Sequence, residues 1–413
     1  MNRLINPMPH QFSFSLLTST MVLILTPLTG LSAADLTGRV SILGNVAWPE
    51  QGDIGDAHRT TADQQSLRLM LDDYSDSTEW SLHLKTLRQH FNGLSTAAPT
   101  APQQFRLHSL AGEFLNETPD DSYTRLVYEF DQAVYRWRSE QTTLSLGRQA
   151  IEWGSGRFWQ PLNVFGAFAP TDLDTDYKQG IDAATLQWYP SAFASLTAAY
   201  IPGPADDNTS KDSAAAYYRG LIGDRAELSL LAGQVLGNNL LGAALESDWA
   251  GIGWRIEGIH YDLDNREDAG IFWIAGADYQ FENGILATAE WYHNDLGSST
   301  EAGLATVQTT ELINAGIQPY FGKRVLGLSL SKDLTPLLRG SYTLLVSPLN
   351  DNESQHQYST LQQLNLSYSL SNDSVLLLSL LTTSGEGLNG QQKVQSEFGH
   401  IPTGAVVRWR VYF

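Results

Sequence analysis

The stretch that decides the fold is the last one in the sequence, Ile401-Pro-Thr-Gly-Ala-Val-Val-Arg-Trp-Arg-Val-Tyr-Phe413. Successive side chains of a β-strand point to opposite sides, so alternate residues share a face. One face carries Arg408 and Arg410, and the other carries the apolar residues Val407, Trp409, Val411 and Phe413. One face suits hydrocarbon and the other suits water. This two-residue period is typical of a transmembrane β-strand.

The final residue adds a second indication. A sequence that closes on an aromatic residue, here Phe413, resembles the C-terminal strand of bacterial outer-membrane proteins. The resemblance implies that Phe413 is part of the signal that the barrel-assembly machinery reads. A soluble edge strand could show the same alternation, but an exposed terminal aromatic residue favours the membrane interpretation.

The N-terminal segment has the layout of a secretory signal peptide. Arg3 and His10 precede an apolar run over residues 12–31, and the small residues Ser32-Ala33-Ala34 follow it. We therefore predict a signal peptide over residues 1–34 and an outer-membrane β-barrel over residues 35–413. The alternative is a membrane anchor helix, but Pro27 and Gly30 interrupt the run.

Composition excludes several classes of protein. Beyond residue 34 no stretch approaches the ~18 consecutive apolar residues that a spanning helix needs. The chain has no cysteine, which suits an oxidising compartment and excludes thiolate metal sites and cysteine nucleophiles. The chain has 25 basic and 45 acidic residues, which give a formal net charge of −20. Nucleic acid is excluded as a partner on this ground, because phosphate binding needs a basic face.

Alternating or β-rich segments recur along the whole of residues 35–413 and predict eighteen strands. They lie at residues 35–48, 64–74, 77–90, 122–138, 140–150, 179–190, 192–202, 213–222, 225–236, 238–248, 250–262, 270–282, 284–294, 319–332, 335–347, 358–370, 373–383 and 401–413.

The connections between these segments alternate between short and long. Outer-membrane barrels have short periplasmic turns and longer external loops, so this rhythm predicts a closed antiparallel transmembrane barrel with both termini in the periplasm. The connection near Gly237-Asn238 is short where a long one is expected. If residues 225–248 fold differently, sixteen strands result. A soluble sandwich or propeller is the alternative architecture, but neither requires this asymmetry.

The densest local motif runs from Leu146-Gly-Arg-Gln-Ala-Ile-Glu-Trp-Gly-Ser-Gly-Arg-Phe158 to Tyr177-Lys-Gln-Gly-Ile-Asp182. This motif resembles porin-like outer-membrane barrels, a group that includes alginate exporters. The resemblance implies a large barrel with a loop that folds inward and constricts the pore. The chain departs from the alginate-export pattern, since a polyuronate exporter needs a basic lumen and here acidic residues predominate.

The long connection at residues 151–178 is the candidate functional segment. Opposed charges across a narrow lumen set the preference of a pore, so we predict a constriction or pore lining with its acidic residues favouring cations. The predicted lining residues are Arg148, Glu152, Arg157, Asp172, Asp174, Asp176, Lys178, Arg408 and Arg410. Strict alternation places Arg148 on the lipid face unless a bulge at Gly147 turns it inward. The alternative is a surface loop whose aromatic residues form a small core of their own.

No enzymatic or metal-binding motif emerges. Asp172-Leu-Asp174-Thr-Asp176 has the spacing that opens a calcium loop, but Tyr177 stands where glycine is required. The nine histidines are dispersed, and no glycine-rich phosphate loop precedes a Lys-Ser or Lys-Thr pair. We therefore predict neither catalytic residues nor a metal nor a cofactor.

The sequence leaves two functions open. The first is a porin-like channel in the bacterial outer membrane through which small solutes or ions diffuse. The second is an export or assembly barrel that moves an envelope polymer or lipid with periplasmic partners. A structural barrel with a blocked lumen is a third possibility. The expected partners are outer-membrane lipid, lipopolysaccharide and the barrel-assembly machinery. The sequence leaves open whether the barrel is a homo-oligomer.

Overall fold

A computed structural model describes most of the chain. The described residues are 34–48, 59–92, 103–117, 122–166, 168–205, 211–263, 269–314, 317–350, 356–391 and 393–413. Except for Ala34, the predicted signal peptide lies outside the described residues. Among the described residues, no helix has the length and apolar character needed to cross a membrane.

Strands make up most of the described chain. They are β1 (Asp35–Trp48), β2 (Thr60–Tyr74), β3 (Thr78–Asn92), β4 (Ala111–Glu117), β5 (Ser122–Arg138), β6 (Thr142–Gln149), β7 (Ile181–Ser191), β8 (Ala194–Ile201), β9 (Ser213–Ile222), β10 (Ala226–Val235), β11 (Asn238–Trp249), β12 (Ile252–Asp262), β13 (Ala269–Gln280), β14 (Leu286–Asn294), β15 (Arg324–Thr335), β16 (Leu338–Asn350), β17 (His356–Ser371), β18 (Ser374–Ser384) and β19 (Thr403–Tyr412). Two short helices, α1 (Glu301–Val307) and α2 (Glu311–Asn314), lie between β14 and β15.

Eighteen of these strands form a closed antiparallel ring. Each strand pairs with the next along the chain, except that β3 pairs with β5, and β19 pairs with β1 to close the ring. Strand β4 stands outside the ring and pairs only with the first half of β5, whose second half pairs with β6. The predicted eighteen-stranded barrel is confirmed, and the sixteen-stranded alternative is wrong.

Each of the eighteen predicted segments corresponds to one strand of the ring. The doubtful connection at Gly237 is a tight turn, in which Leu236 and Gly237 adopt positive φ values of 51° and 84°. A turn with two positive φ values matches the twist of the flanking strands and joins them in two residues. The long-connection end of the barrel therefore carries one short hairpin, between β10 and β11.

The two faces of the wall differ as the alternation predicts. On β19 the side chains of Arg408 and Arg410 are 8% and 6% exposed, whereas Val407 and Trp409 are 50% and 44% exposed. The same alternation sets buried Ser379 against exposed Leu378 and Leu380 on β18. The outer wall therefore presents large apolar side chains, which hydrocarbon would cover in a membrane.

The seam that closes the ring lies between Gly38 and Phe413. The Gly38 amide donates to the Phe413 carbonyl at 2.7 Å, and the Phe413 amide donates back at 3.0 Å. The Phe413 ring covers the Gly38 backbone, so a Cβ at position 38 would overlap the ring atoms. An aromatic side chain packed over a strand glycine helps to fix the pairing register.

We expect Gly38→Val to reduce closure of the barrel, because the valine side chain would displace the Phe413 ring at the seam. Heat-modifiable migration in gels measures the closed fraction. Gly44→Val is the matched control on the same strand, since no atom lies within 4 Å of a Cβ at Gly44. Equal closed fractions for the two variants would show that the ring contact does not fix the seam.

Candidate functional site: a loop across the lumen

The connection between β6 and β7, residues 150–180, is called the inner loop below. Its first half packs against the inner wall of the barrel. The Trp153 ring stacks on Tyr217 of β9 at a centroid distance of 5.0 Å, and Trp159 meets Tyr292 of β14 edge-on at 5.3 Å. The loop residues buried in this contact are Ile151, Trp153, Phe158, Trp159, Leu162, Val164 and Phe165. The aromatic residues thus form a core with the wall rather than among themselves alone.

A buried carboxylate of β12, Glu257, holds the loop to this wall. Its oxygens accept the backbone amides of Ser155, Gly156 and Leu162 at 2.6, 3.3 and 2.7 Å. The Ser155 hydroxyl also donates to Glu257 at 3.1 Å. A Cβ at Gly154, where φ is +96°, would lie 2.7 Å from a Glu257 oxygen. Glycine at this position therefore permits the close approach of loop and carboxylate.

A second buried carboxylate, Glu290 of β14, holds the next residues of the loop. It accepts the backbone amides of Arg157, Phe158 and Trp159 at 2.8, 2.8 and 3.2 Å. Arg255 of β12 donates to the same carboxylate at 3.3 Å and balances its charge. Consecutive amides that converge on one carboxylate form an anion-binding concavity of the backbone. Here the anion belongs to the barrel wall.

The second half of the inner loop reaches a different part of the wall. Arg408 of β19 donates to the Leu173 carbonyl, and Arg39 of β1 holds the Asp174 carboxylate with two hydrogen bonds of 2.8 and 2.7 Å. Seven strands separate β12 from β1 in one direction around the ring, and nine separate them in the other. Because the loop is bound near both positions, it crosses the lumen.

A row of arginines lines the wall where the second half docks. Arg408 and Arg410 on β19, Arg39 on β1 and Arg68 on β2 are each less than 10% exposed. Their acidic partners are Asp131 of β5, bound by Arg68, and Asp174 and Asp176 of the loop, bound by Arg39 and Arg410. The cluster therefore contains four guanidinium groups and three carboxylates.

Tyr177 completes the contact with the arginine row. The guanidinium groups of Arg39 and Arg68 lie 4.9 and 4.4 Å from the centre of its ring. A cation over an aromatic face is attracted by the negative charge of that face. Among the described residues, the buried Nε atoms of Arg39, Arg68 and Arg410 have no hydrogen-bond partner. The row thus keeps hydrogen-bonding capacity that the loop does not use.

The arginines keep the loop carboxylates ionised. Partial burial raises the pKa of Asp174, but the Arg39 hydrogen bond and the nearby guanidinium charges outweigh burial, so the pKa lies below its usual value. The pKa of Asp176 is also lowered, because a hydrogen bond from Tyr412 and the charge of Arg410 outweigh its burial. Both carboxylates are therefore charged at neutral pH, and each is paired.

Lys178 joins the two ends of the inner loop. Its ammonium group donates to the Ile151 carbonyl at 2.5 Å and to Asn163 Oδ1 at 2.7 Å. Burial lowers the pKa of Lys178 to about 8, although the charge of Glu152 acts in the opposite direction. Lys178 thus fixes the path of the loop through neutral oxygen acceptors.

The remaining predicted lining residues are dispersed. Arg148 is 1% exposed and is held between β5 and β7, where it binds Asp182 at 2.8 and 2.9 Å and the Phe130 carbonyl at 3.0 Å. Glu152 and Arg157 are exposed, and Arg157 lies 3.6 Å from Asp278. Asp172 accepts the Ala169 amide at 2.7 Å within a turn of the loop. The structure therefore brings Asp174, Asp176, Arg408 and Arg410 together and leaves the others apart.

A polar cavity of about 360 Å³ lies between the start of the inner loop and the wall of β5–β9. Glu152 and Trp153 form the loop side, and Arg136, Arg138 and Arg219 lie on the wall side with several hydroxyl and amide groups. These arginines are near the strand ends at the short-connection end. The cavity therefore lies towards the short-connection end of this wall.

The sequence interpretation missed the wall residues that bind the loop, Glu257, Glu290, Arg39 and Arg68. Each is a charged residue at an inward position of a strand, and the residues on either side of it face outward. This alternation indicates only that the side chain faces the lumen. The available signal was an acidic residue in the middle of each of the mainly apolar strands β12 and β14.

Comparisons with known proteins give a clear result for structure and none for sequence. Neither a family model nor a curated protein sequence matches the chain. OccAB4 of Acinetobacter baumannii is similar, with a TM-score of 0.53 and 11% identity over 92% of this chain and 97% of that one. The fold is that of outer-membrane porins.

Two further porins show the same likeness. A BenF-like porin from Pseudomonas fluorescens Pf-5 has a TM-score of 0.56 and 10% identity, covering 93% of this chain and 99% of that one. OpdK of Pseudomonas aeruginosa, in a crystal structure with vanillate, has a TM-score of 0.52 and 11% identity over 92% and 98% of the two chains. At such low identity the likeness concerns the fold.

Proposed function

We propose that this chain is a channel of the bacterial outer membrane through which small solutes diffuse, and that the inner loop is its constriction. The observation that carries the proposal is the attachment of this loop to Glu257 and Glu290 on one wall and to Arg39 and Arg410 on the other. A loop bound at two opposite walls narrows the lumen of an eighteen-stranded barrel, which would otherwise leave an aqueous channel. The porin fold and the apolar outer wall support the same conclusion.

We further propose that the preferred solutes are small anions. The acidic run of the loop suggested cations, but Asp174 and Asp176 are bound to arginines and so contribute little free negative charge. Arg408 donates to a carbonyl, and no carboxylate among the described residues forms an ion pair with it. An excess of guanidinium groups along a lumen wall attracts anions and repels cations. OpdK, crystallised with the carboxylate vanillate, has the same fold.

A bilayer experiment tests both parts of this proposal. The purified barrel is reconstituted in a planar membrane under a KCl gradient. It should conduct, and the reversal potential should be shifted towards the equilibrium potential of chloride. Arg408→Gln should lower the chloride-to-potassium permeability ratio about thirtyfold, since one unit charge at ~4 Å in water acts on each ion with roughly 1 kcal/mol and with opposite signs for the two ions. Arg339→Gln, an exposed arginine near a short connection, is the matched control.

Two results would count against the proposal. Cation selectivity in the unmodified barrel would show that the unpaired acidic residues dominate over the arginine row. A barrel that inserts but conducts no ions would favour the export function or the blocked barrel.

We propose that residues 1–34 serve as the signal peptide and that the short-connection end, where Asp35 and Phe413 lie, faces the periplasm. In this orientation α1, α2 and the other long connections face the outside of the cell. Lipopolysaccharide and the barrel-assembly machinery, which would read Phe413, are the partners that this location implies.

A further inference from the structure

The side chain of Glu397 joins two connections at the long-connection end of the barrel. It lies between β18 and β19, is 5% exposed, and accepts the backbone amides of Phe321 and Gly322 at 3.2 and 2.5 Å. Phe321 and Gly322 belong to the connection between β14 and β15. A Cβ at Gly322 would lie 3.0 Å from a Glu397 oxygen, so glycine permits this approach. The carboxyl group is thus a bridge between residues 317–323 and 393–402.

The bridge is in contact with the inner loop through aromatic side chains. Phe398, next to Glu397, packs edge-on against Tyr320 with ring centroids 5.8 Å apart. The Tyr320 hydroxyl accepts a hydrogen bond of 3.0 Å from Trp159 Nε1, and the two rings lie 5.9 Å apart. Trp159 is one of the three loop residues whose amides Glu290 holds. Displacement of Phe398 would therefore remove one of the contacts that fix the inner loop.

The surroundings of Glu397 supply little positive charge. The titratable groups that act on it are Tyr320 on its partner segment and Tyr292 on β14, and His400 on its own segment lies against the Phe321 ring. Lys323 is paired with Asp295, and the described residues provide no lysine or arginine that forms an ion pair with Glu397. Among the described residues, the amides of Phe321 and Gly322 are the donors that stabilise the ionised form. Burial therefore raises the pKa of Glu397 to about 7, from an ordinary value of 4.5.

We propose that Glu397 is a proton-dependent clamp, which holds the two connections together when it is protonated and releases them when it ionises. Through Phe398, Tyr320 and Trp159, the clamp steadies the inner loop. The clamp is a property of the fold beyond the proposed channel function. At the long-connection end of the barrel, the two connections would be held together at acidic pH and released at alkaline pH.

The direction follows from the raised pKa. A carboxyl group binds its proton more tightly in the clamped state than in the released state, so protonation favours the clamped state. The stabilisation is complete below the ordinary value of 4.5 and is lost as the pH rises through about 7. Between these two values the ratio of clamped to released molecules falls about tenfold for each pH unit. Above pH 7 the ratio becomes constant.

Hydrogen exchange of the Phe321 and Gly322 amides tests the clamp without any passage of solute. After correction for the intrinsic rate, protection of these two amides should fall at least tenfold between pH 5.5 and 8.5. Glu397→Gln, which stays neutral, should abolish this dependence. Glu386→Gln is the matched control, because Glu386 is an exposed carboxylate in the same connection and should keep the dependence.

The contrary results are equally defined. Constant protection in the unmodified barrel would overturn the proposal, and so would pH dependence that persists in Glu397→Gln. If that variant fails to fold, His400→Gln takes its place: loss of the pH dependence there would assign the effect to the histidine and overturn the role of Glu397.

Conductance separates the clamp from its coupling to the constriction. In Tyr320→Phe the hydrogen bond from Trp159 is lost while Glu397 and its two amides remain. The amide protection should therefore keep its pH dependence. In the unmodified barrel the current fluctuations should increase between pH 5.5 and 8.5 as the clamp releases, and Tyr320→Phe should lose this dependence. Unaltered fluctuations in this variant would remove the coupling through Tyr320. A barrel without conductance would contradict the channel function and leave the exchange result standing.

Discussion

A barrel that lacks residues 155–175 should conduct several-fold more current than the unmodified barrel. The deletion removes the loop segments bound to Glu257, Glu290 and Arg408 and leaves ten residues to join the neighbouring strands β6 and β7. Eighteen strands without a filled interior enclose an aqueous channel. Single-channel conductance in a planar bilayer measures the change, and the anion preference should decline because the lumen widens.

The deletion also exposes apolar wall residues, so closure of the variant must be measured separately. Ile274 and Tyr292 are fully buried in the presence of the loop and would face lumen water without it. This exposure costs about 1.5–3 kcal/mol of stability for each side chain. The strand pairing remains, since no ring pair involves the deleted residues. Heat-modifiable migration should thus still show a closed barrel. A closed variant with unaltered conductance would show that the loop does not limit the current.

The eighteen strands of the ring were predictable because a transmembrane barrel repeats one simple constraint. Every wall strand has an apolar outer face and a polar inner face, and the two-residue period records this in the sequence. Strand β4 lacked such a record. It lies outside the ring and pairs with one strand, β5. Alternation is not sustained in its sequence, Ala111-Gly-Glu-Phe-Leu-Asn-Glu117. Whether a short segment becomes a strand depends on the edge available to it, which local sequence does not contain.

The inner loop was predictable as a segment but its attachments were not. Its length, its five Trp and Phe residues and its opposed charges indicated an inward loop from the sequence alone. The partners are far away along the chain: Ser155 and Glu257 are separated by 102 positions, and Asp174 and Arg39 by 135. Only the closed ring brings them together. The negative charge that the acidic run presents to the lumen therefore depends on its ion pairs with the arginines of the wall.

Arg148 illustrates the same point at a bulge. Alternation alone placed it on the lipid face, and charge suggested the pore. The structure instead buries it with Asp182 and two backbone carbonyls, next to Gly147, whose φ is +116°. A positive φ is open to glycine at little strain and allows the strand to depart from regular pairing. The position of Gly147 in the motif was visible, but its consequence for Arg148 required the neighbouring strands.

The second large effect is expected for Glu290→Ala, which should release the first half of the inner loop without opening the barrel. The substitution leaves the amides of Arg157, Phe158 and Trp159 without their acceptor and removes one partner of buried Arg255. Each buried donor left without an acceptor costs about 1–3 kcal/mol, whereas Arg255 keeps its ion pair with Asp278. The mean conductance and the open-state current fluctuations should both rise towards those of the deletion variant.

Two further variants identify the cause of this effect. Glu290→Gln retains one acceptor oxygen of similar geometry and should give a smaller rise, because only the charge and part of the hydrogen bonding are lost. Glu282→Ala removes an exposed carboxylate from the turn after β13 and should leave the conductance unchanged. If Glu290→Ala conducts like the unmodified barrel, the apolar contacts of Trp159 and Leu162 suffice to hold the loop. In that case the carboxylates of the wall determine its path during folding rather than its position in the finished channel.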